Sequence, residues 1–547
     1  MENSIASLHA AESEEIKPYK IHVSSKYLDL TKKKLELTRL PHEVFLPRER
    51  EWDHGTPKSE IEPLVDYWLE HYTWRQRETH LNTTLPQYRT AISLPSTTTT
   101  PTPSPPLRIH FLHLKSPHKH AIPLLLIPTF PLTNLSLTPL FAPLTNPTSP
   151  TSTQPFTLIV PSLPGLGFSD AFQTSSSLLS KSAGLCDALM KRLGYTYYLA
   201  SATGSGANSP AGIDYHLLRV MGEEYKDSCL GIHVIEPCVA PPTLSEQPVG
   251  WMKFAFARFF HASIWGYEKC DFVALRSTQS RSKSRSKSVS RTQTRISSHP
   301  SNAGDEERPL LNRGGRTYGA VGVLGLREPN TFAYALCDSP VGLLSLVLSA
   351  LRRRSPGHRL SKMEIIDVAQ LAWLPGPEAG ARFWTAAVDE VRGFERLELG
   401  GKKGGGGWRS KVAVTVFGAD GEGDAYICPA WAGLKHDVLF SQRASGRAGI
   451  AVWERVDVLV DGIRGLAREV ERVDPRLRVR ALEEIVVFEE PILEITEDDS
   501  ESRERESVDY SVDESWGDIG HEGDQDHGIQ LDVESPDTVV AVDLRGK

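Results

Sequence analysis

The octapeptide AIPLLLIP, ending at Pro128, carries no polar side chain on either side of an extended backbone, so as a strand it must be buried on both faces. The mostly apolar FTLIVP at 156–161 and CLGIHVIEP from Cys229 also read as buried strands, and KVAVTVFGAD (Lys411 to Asp420) and HDVLFSQR (His436 to Arg443) supply two more strands. Helical spacing of apolar residues falls between them, at about Ser180 to Leu193, Gly212 to Glu224 and Trp453 to Arg472. Doubly buried strands alternating with helices imply an α/β domain built on a mostly parallel sheet. The strand LRIHFLHL, Leu107 to Leu114, alternates instead and opens this core.

Only part of the 547 residues is core material: the hydrophobic fraction is 39%, and low-complexity tracts dilute it. Residues 1–15 are polar, and 93–106 form a Ser/Thr/Pro linker, SLPSTTTTPTPSPP from Ser93. Residues 241–405 read as a helical lid, interrupted over 276–316 by an insert whose Arg/Ser-rich run, Arg276 to Asn302, is expected to be disordered. That run is read as a spacer and not as a nucleic-acid site, because no RNA-binding module lies beside it. The acidic tail, 479–547, is likewise expected to be mostly disordered and holds much of the acidic excess behind the net charge of -8. The core occupies 107–240 and 406–478, and an N-terminal unit 16–92 precedes it.

Six scattered cysteines, with no CxxC pair, suit reduced thiols and offer no metal site. The N-terminus lacks an apolar signal core, and no run reaches the roughly 20 apolar residues needed to span a bilayer. These features predict a soluble, cytoplasmic protein without metal or cofactor; no oligomeric state follows from them. The glycine run at Gly400 to Gly407 has no following Lys-Ser/Thr and reads as a flexible joint, not a phosphate cradle.

In the N-terminal unit, a short strand is expected at Tyr19 to Val23 and a helix at Leu28 to Leu40. Leu64, Tyr67, Trp68 and Tyr72 share one helix face, with Trp74 and Arg75 following at its end; these aromatics are read as core filling. Further on, Tyr195 to Ala200 form a strand that runs into small residues. A sharp strand-turn-helix elbow needs small neighbours; with Ala202 and Gly206 flanking, its tip would be Gly204. An elbow tipped by glycine presents no side chain to a substrate.

The stretches WDHGTP, YWLEHYTWRQRETHLN, PQYR, PSLPGLGFSD, MKRLGY, PNTFAYALCDSPVGL, LAWLPGPEAGARFW and VWER, in this order between about Ile21 and Val473, resemble the microsomal-type epoxide hydrolases and their fungal relatives. The resemblance implies an α/β-hydrolase core with a helical lid and an N-terminal meander. It also implies a chemistry. An Asp on the elbow attacks an epoxide carbon and forms an ester; two lid tyrosines polarise the epoxide oxygen; a His oriented by an acid activates water to hydrolyse the ester, and backbone N–H groups hold the oxyanion.

Carried onto this chain, the family's GGDWG falls on Ala202, Thr203, Gly204, Ser205 and Gly206, which puts Gly204 at the nucleophile position. The oxyanion motif HGWPGS falls on Pro128 to Thr133 and keeps only an aromatic, Phe130, and the proline at Pro131, with Ser205 as the second candidate N–H. Counting back from Trp453-Glu454 puts Gly449 at the histidine. The acid position keeps Asp420, the second lid tyrosine falls on Trp384, and Tyr318 is near the first.

The joint replacement of nucleophile, base and one tyrosine points to a family member with lost or much reduced catalysis, its lidded space kept for a small apolar or epoxide ligand or for a partner. An active epoxide or ester hydrolase using shifted residues such as Ser205 and Asp420 is the alternative. Serine needs a base, and the last core segment offers only His436, at the start of a strand.

Overall fold

The computed structural model describes residues 15–43, 46–94, 105–149, 153–173, 176–206, 209–276, 328–355, 360–399, 409–418 and 426–478. The expected site residues Tyr318 and Asp420 lie outside them, as do the Ser/Thr/Pro tract at 95–104, the Arg/Ser run from Ser277, the glycine run at 400–407 and the tail from 479.

Nine strands form one sheet: β1 (Lys17–Pro18), β2 (Gln87–Ile92), β3 (Leu107–Leu114), β4 (Ile122–Ile127), β5 (Phe156–Pro161), β6 (Tyr198–Ser205), β7 (Cys229–Ile235), β8 (Lys411–Phe417) and β9 (Asp437–Ala444), in spatial order 1-2-3-5-4-6-7-8-9. The pairs β1/β2, β2/β3 and β3/β5 are antiparallel, and every pair from β5 to β9 is parallel. Every residue of β4, β5, β6 and β7 is buried, including the polar Thr157, Ser201, Thr203, Ser205 and His233.

Alternate residues feed two cores, one on each face of the sheet. Leu124, Leu126, Leu158 and Val160 enter the first, with the N-terminal helices α1 (Ser25–Glu36), α2 (Lys58–Glu70) and α3 (Trp74–Thr84). Leu125, Ile127 and Ile159 enter the second, with α4 (Leu178–Arg192) and α5 (Ile213–Glu224). The lid helices are α6 (Pro248–Phe260), α7 (Pro329–Asp338), α8 (Pro340–Arg354), α9 (Lys362–Trp373) and α10 (Pro377–Leu399). The last helix, α11 (Val456–Val473), returns to the first core. From α10, Glu390 reaches α4, its carboxylate accepting the Leu179 N–H at 2.8 Å and the Ser180 hydroxyl at 3.2 Å. An acid at a helix N-terminus satisfies orphan donors and the dipole together.

Three N-terminal expectations are corrected. Tyr19 to Val23 is not a strand: only Lys17 and Pro18 pair with β2, and Ile21 is held instead by the Asn82 side chain, which accepts its N–H at 2.8 Å and donates to its C=O at 2.7 Å. A side-chain amide thus replaces a ladder. The first helix begins at Ser25 and ends at Glu36, and Trp74 starts a new helix instead of closing the previous one. Trp68 and Trp74 are core residues as expected, each 5% exposed.

The tyrosine of the same helical face has a second task. Tyr72 donates to Asp367 of α9 at 2.8 Å, Arg77 pairs with the same carboxylate at 2.7 Å, and the Trp373 indole donates to Thr31 at 2.8 Å. These contacts tie the N-terminal helices to the lid. Asp367→Ala should therefore lower stability by about 1–3 kcal/mol, read by urea denaturation, since it strands a partly buried phenol and guanidinium. A change within error would mean that the apolar contact alone joins the two layers.

Candidate functional site

The strands β4 and β6 are parallel neighbours, yet the chain leaves β4 toward β5 and leaves β6 toward β7, on opposite sides. In open α/β sheets the crevice at the carboxyl ends of such a pair is where ligands bind. Here it brings together Thr129 and Phe130 after β4, Gly204 and Ser205 at the end of β6, and Asp214 in the first turn of α5.

Thr129 donates its hydroxyl to the Asp214 carboxylate at 2.5 Å, and Ser209 Oγ accepts the Asp214 N–H at 3.3 Å. Asp214 is 3% exposed. Burial pushes its carboxyl up to about 6, against the Thr129 hydrogen bond, the Arg354 charge and the Ser209 hydroxyl, all of which favour the ionised form. Arg354, the last residue of α8, lies over the Phe130 ring at 5.3 Å; burial brings its guanidinium down to about 10, opposed by the charge of Asp214. On Phe130 the Trp384 ring of α10 packs edge-on at 5.0 Å, with Phe383 beside it at 5.2 Å.

A buried acid with a raised pKa adds stability below its unfolded value, near 3.8, and that contribution is lost as pH rises through about 6. Asp214→Asn should abolish this slope. The difference between the two urea-unfolding curves is expected to change by about 3 kcal/mol between pH 4 and pH 7. Parallel curves would show that Asp214 is not the buried titrating group.

Gly204 lies beside this pair, but not at a turn tip. The strand β6 continues through it to Ser205, and its backbone is outside the left-handed region. A Cβ on Gly204 would come within 2.3 Å of Thr129 Oγ1 and 2.4 Å of Thr129 Cβ. Ser205, the second candidate oxyanion N–H and alternative nucleophile, is also in the strand, and α5 begins only at Ile213. Its hydroxyl donates to the carboxylate of Glu236, the residue after β7, whose φ of 44° is left-handed for a non-glycine. The following N–H, of Gly206, is committed to Ile235 O at 2.8 Å.

At the other expected position, Gly449 has φ +56°, and a Cβ there would meet the Glu454 carboxylate at 2.5 Å. Glu454 instead accepts the Ile450 N–H at 2.6 Å. His436 offers no open ring nitrogen: Nε2 pairs with Tyr215 OH at 2.8 Å and Nδ1 with Ser410 Oγ at 2.8 Å. His233 is similarly occupied by Ser201 and Thr415, each at 2.9 Å, and burial holds it neutral, near 3. The structure thus brings Phe130, Trp384, Gly204 and Ser205 to one crevice, together with Thr129, Asp214, Arg354 and Glu236, which sequence reasoning had not assigned to a site.

Among the described residues, no cluster of three or more His, Cys, Asp or Glu could hold a metal. A cavity of about 920 Å³ opens elsewhere, between the N-terminal unit and the lid, lined by Trp52, Glu60, Leu348, Arg352, Ser355 and Ile365 among others. None of the crevice residues lines it.

Residues 16–137 match the family model described as epoxide hydrolase N terminus. Over 414 residues the chain is 27% identical to "Putative epoxide hydrolase" of Stigmatella aurantiaca, covering 74% of each protein. Residues 16–137 thus match the N-terminal part of epoxide hydrolases, and the chain is similar to an epoxide hydrolase over most of its length. A second relative, juvenile hormone epoxide hydrolase 1 of Ctenocephalides felis, is 27% identical over 222 residues, which span 40% of this chain and 42% of that protein. The α/β-hydrolase fold of these epoxide hydrolases is evident in two solved structures. Juvenile hormone epoxide hydrolase from Bombyx mori superposes with a TM-score of 0.61 at 19% identity, over 84% of this chain and 96% of that one. The Aspergillus niger epoxide hydrolase gives 0.57 at 20% identity, over 84% and 97%.

Proposed function

We propose that this chain is an epoxide hydrolase family member that has lost most or all of the family's hydrolysis and retains the crevice for a small apolar, epoxide-like ligand. The observation that carries the reading is the Thr129–Asp214 pair. It fills the space into which a side chain at Gly204 would project, so the strand end has neither a nucleophile nor room for one. Phe130, Phe383 and Trp384 supply an aromatic wall for such a ligand. All six cysteines are free thiols, in keeping with a cytoplasmic setting.

The test is hydrolysis of a panel of aryl and alkyl epoxides by the purified chain, with an Asp-nucleophile family member as positive control. Loss of triad members lowers rates by about four orders of magnitude or more, so no turnover is expected. Saturable quenching of tryptophan fluorescence by the same epoxides, lost in Trp384→Leu, is the expected sign of binding. Rapid turnover would overturn the reading.

One observation favours a second reading: Asp214 brings a buried carboxyl, titrating near neutrality, to within one hydrogen bond of Thr129, which occupies the place of a side chain at Gly204. In that role a carboxylate oxygen of Asp214 attacks an epoxide carbon, the carbon–oxygen bond breaks, and the freed oxygen takes a proton from water, leaving an ester. Ser205 is the paired control, because its hydroxyl is already engaged by Glu236. An ester of the epoxide's mass on the Asp214 peptide, absent in Asp214→Asn and retained in Ser205→Ala, would establish this reading. An unmodified peptide rejects it.

A further inference from the structure

The lid helix α6 has two apolar stripes and uses one. Gly250, Phe254 and Ala257 recur at i, i+4 and i+7, and this stripe faces the protein: Gly250 lies under Leu434, Phe254 packs on Trp431 and Tyr267, and Ala257 is the helix's one buried residue. Val249, Met252, Phe256, Phe259 and Phe260 form the opposite stripe and are open to solvent, Phe259 at 78% and Phe260 at 60%. Trp265 extends this stripe by packing on Phe256 at 5.7 Å, and Phe256 and Phe260 touch at 4.6 Å. Among the described residues, nine of the fifteen exposed large hydrophobic side chains fall between Leu244 and Val273. The outward stripe is therefore a concentrated patch and not scattered exposure, and folding does not require it.

We propose that this stripe seats α6 flat on an anionic lipid surface. The charge on the helix favours lipid over a second copy of the chain. Pro248–Phe260 contains Lys253 and Arg258 and no acidic residue. Lys253 reaches over the Trp265 ring at 5.9 Å, at the margin of the stripe, where an ammonium meets headgroups while the aromatic rings enter the acyl boundary. The nearest acids on the following segment, Glu268 and Asp271, are taken up by Arg443. In sequence, the chain that leaves this face at Arg276 continues to Arg295 with seven Lys or Arg and no Asp or Glu, and basic runs beside an interfacial helix add attraction to anionic lipid. A ridge of Phe and Trp flanked by cations suits a bilayer, whereas a protein partner would need a groove to receive it. The proposal is independent of whether the crevice catalyses.

The experiment is co-sedimentation of the full chain with vesicles of phosphatidylcholine alone or with added phosphatidylserine, and a paired measurement of Trp251 and Trp265 fluorescence. Binding to the phosphatidylserine vesicles with a blue shift is expected. The double substitution Phe256→Glu and Phe259→Glu should weaken it about tenfold or more while leaving the melting temperature unchanged, since both rings are exposed; Lys253→Glu should weaken it to a smaller extent. Equal sedimentation of the double variant and the parent would overturn the proposal, and so would binding that survives the double variant but vanishes in salt, which would assign it to the basic run. A dimer of the parent chain in solution that the double variant abolishes, with no vesicle binding, would assign the stripe to a second copy.

Discussion

Gly204→Asp, which restores the family's nucleophile by sequence, should yield a less stable protein and no hydrolase. The new Cβ would overlap Thr129, and the new carboxylate would be forced beside Asp214, whose own carboxyl is already disfavoured as an anion. Overpacking and like-charge burial together should lower stability by more than about 3 kcal/mol, measured by urea denaturation at pH 7. At pH 5, where one of the two carboxyls can hold a proton, the deficit should shrink. Adding Thr129→Gly should recover part of it by opening the space. An unchanged midpoint for Gly204→Asp would sink the account of Thr129 and Asp214 as fillers of the nucleophile's place, and epoxide turnover by that variant would mean that the vacancy alone silenced the enzyme.

The second large effect is expected at the segment that follows α6. Asp271 is fully buried and accepts from Arg443 Nε at 2.8 Å, Arg443 Nη2 at 3.0 Å, Tyr426 OH at 2.5 Å and the Glu268 N–H at 2.8 Å. Arg443 also holds Glu268 at 2.6 Å and the Gly266 carbonyl at 2.8 Å, so one guanidinium from β9 fastens the segment that follows α6. Asp271→Ala leaves that guanidinium and a phenol without their acceptor and should lower stability by about 3–5 kcal/mol in thermal or chemical denaturation. Burial alone would raise the Asp271 pKa, but the hydrogen bonds from Arg443 and Tyr426 win and hold it below the usual carboxylate range. Its contribution is thus present above about pH 4 and fades as pH falls further, in the opposite sense to Asp214. A loss under about 1 kcal/mol would show that the segment is held by its aromatic packing.

The sheet was legible because doubly buried strands leave a mostly apolar record: β4, β5 and β7 lie where AIPLLLIP, FTLIVP and CLGIHVIEP place them. The N-terminal segment misled because Tyr19 to Val23 has a strand's composition, while its partner is the side chain of Asn82, sixty-one residues from Ile21. No local pattern encodes that pairing. The end of β6 misled differently: small residues permit a tight elbow but do not enforce one, and the pairing with β7, interrupted after Ser201, resumes at Ser205. Asp214 was invisible for a third reason. An acid in the first turn of a helix ordinarily answers the helix dipole, and only the fold shows that Thr129, eighty-five residues away, and Arg354 face it. Trp384 was placed by resemblance and does meet Phe130, which residue chemistry alone would not have paired.

The spatial order of the strands ends on β9, whose side chains are half-buried and whose outer backbone edge has no further strand beside it among the described residues. At the opposite end the sheet closes with β1, two residues long and containing Pro18, which is too short to template another chain. The eight-residue β9 edge has no such blunting of its own; Arg443, tethered to the lid segment, is its cover. Chains in which that tether fails should therefore not drift into solution as expanded monomers but add strand to strand, so that light scattering rises with protein concentration before the far-ultraviolet signal is lost.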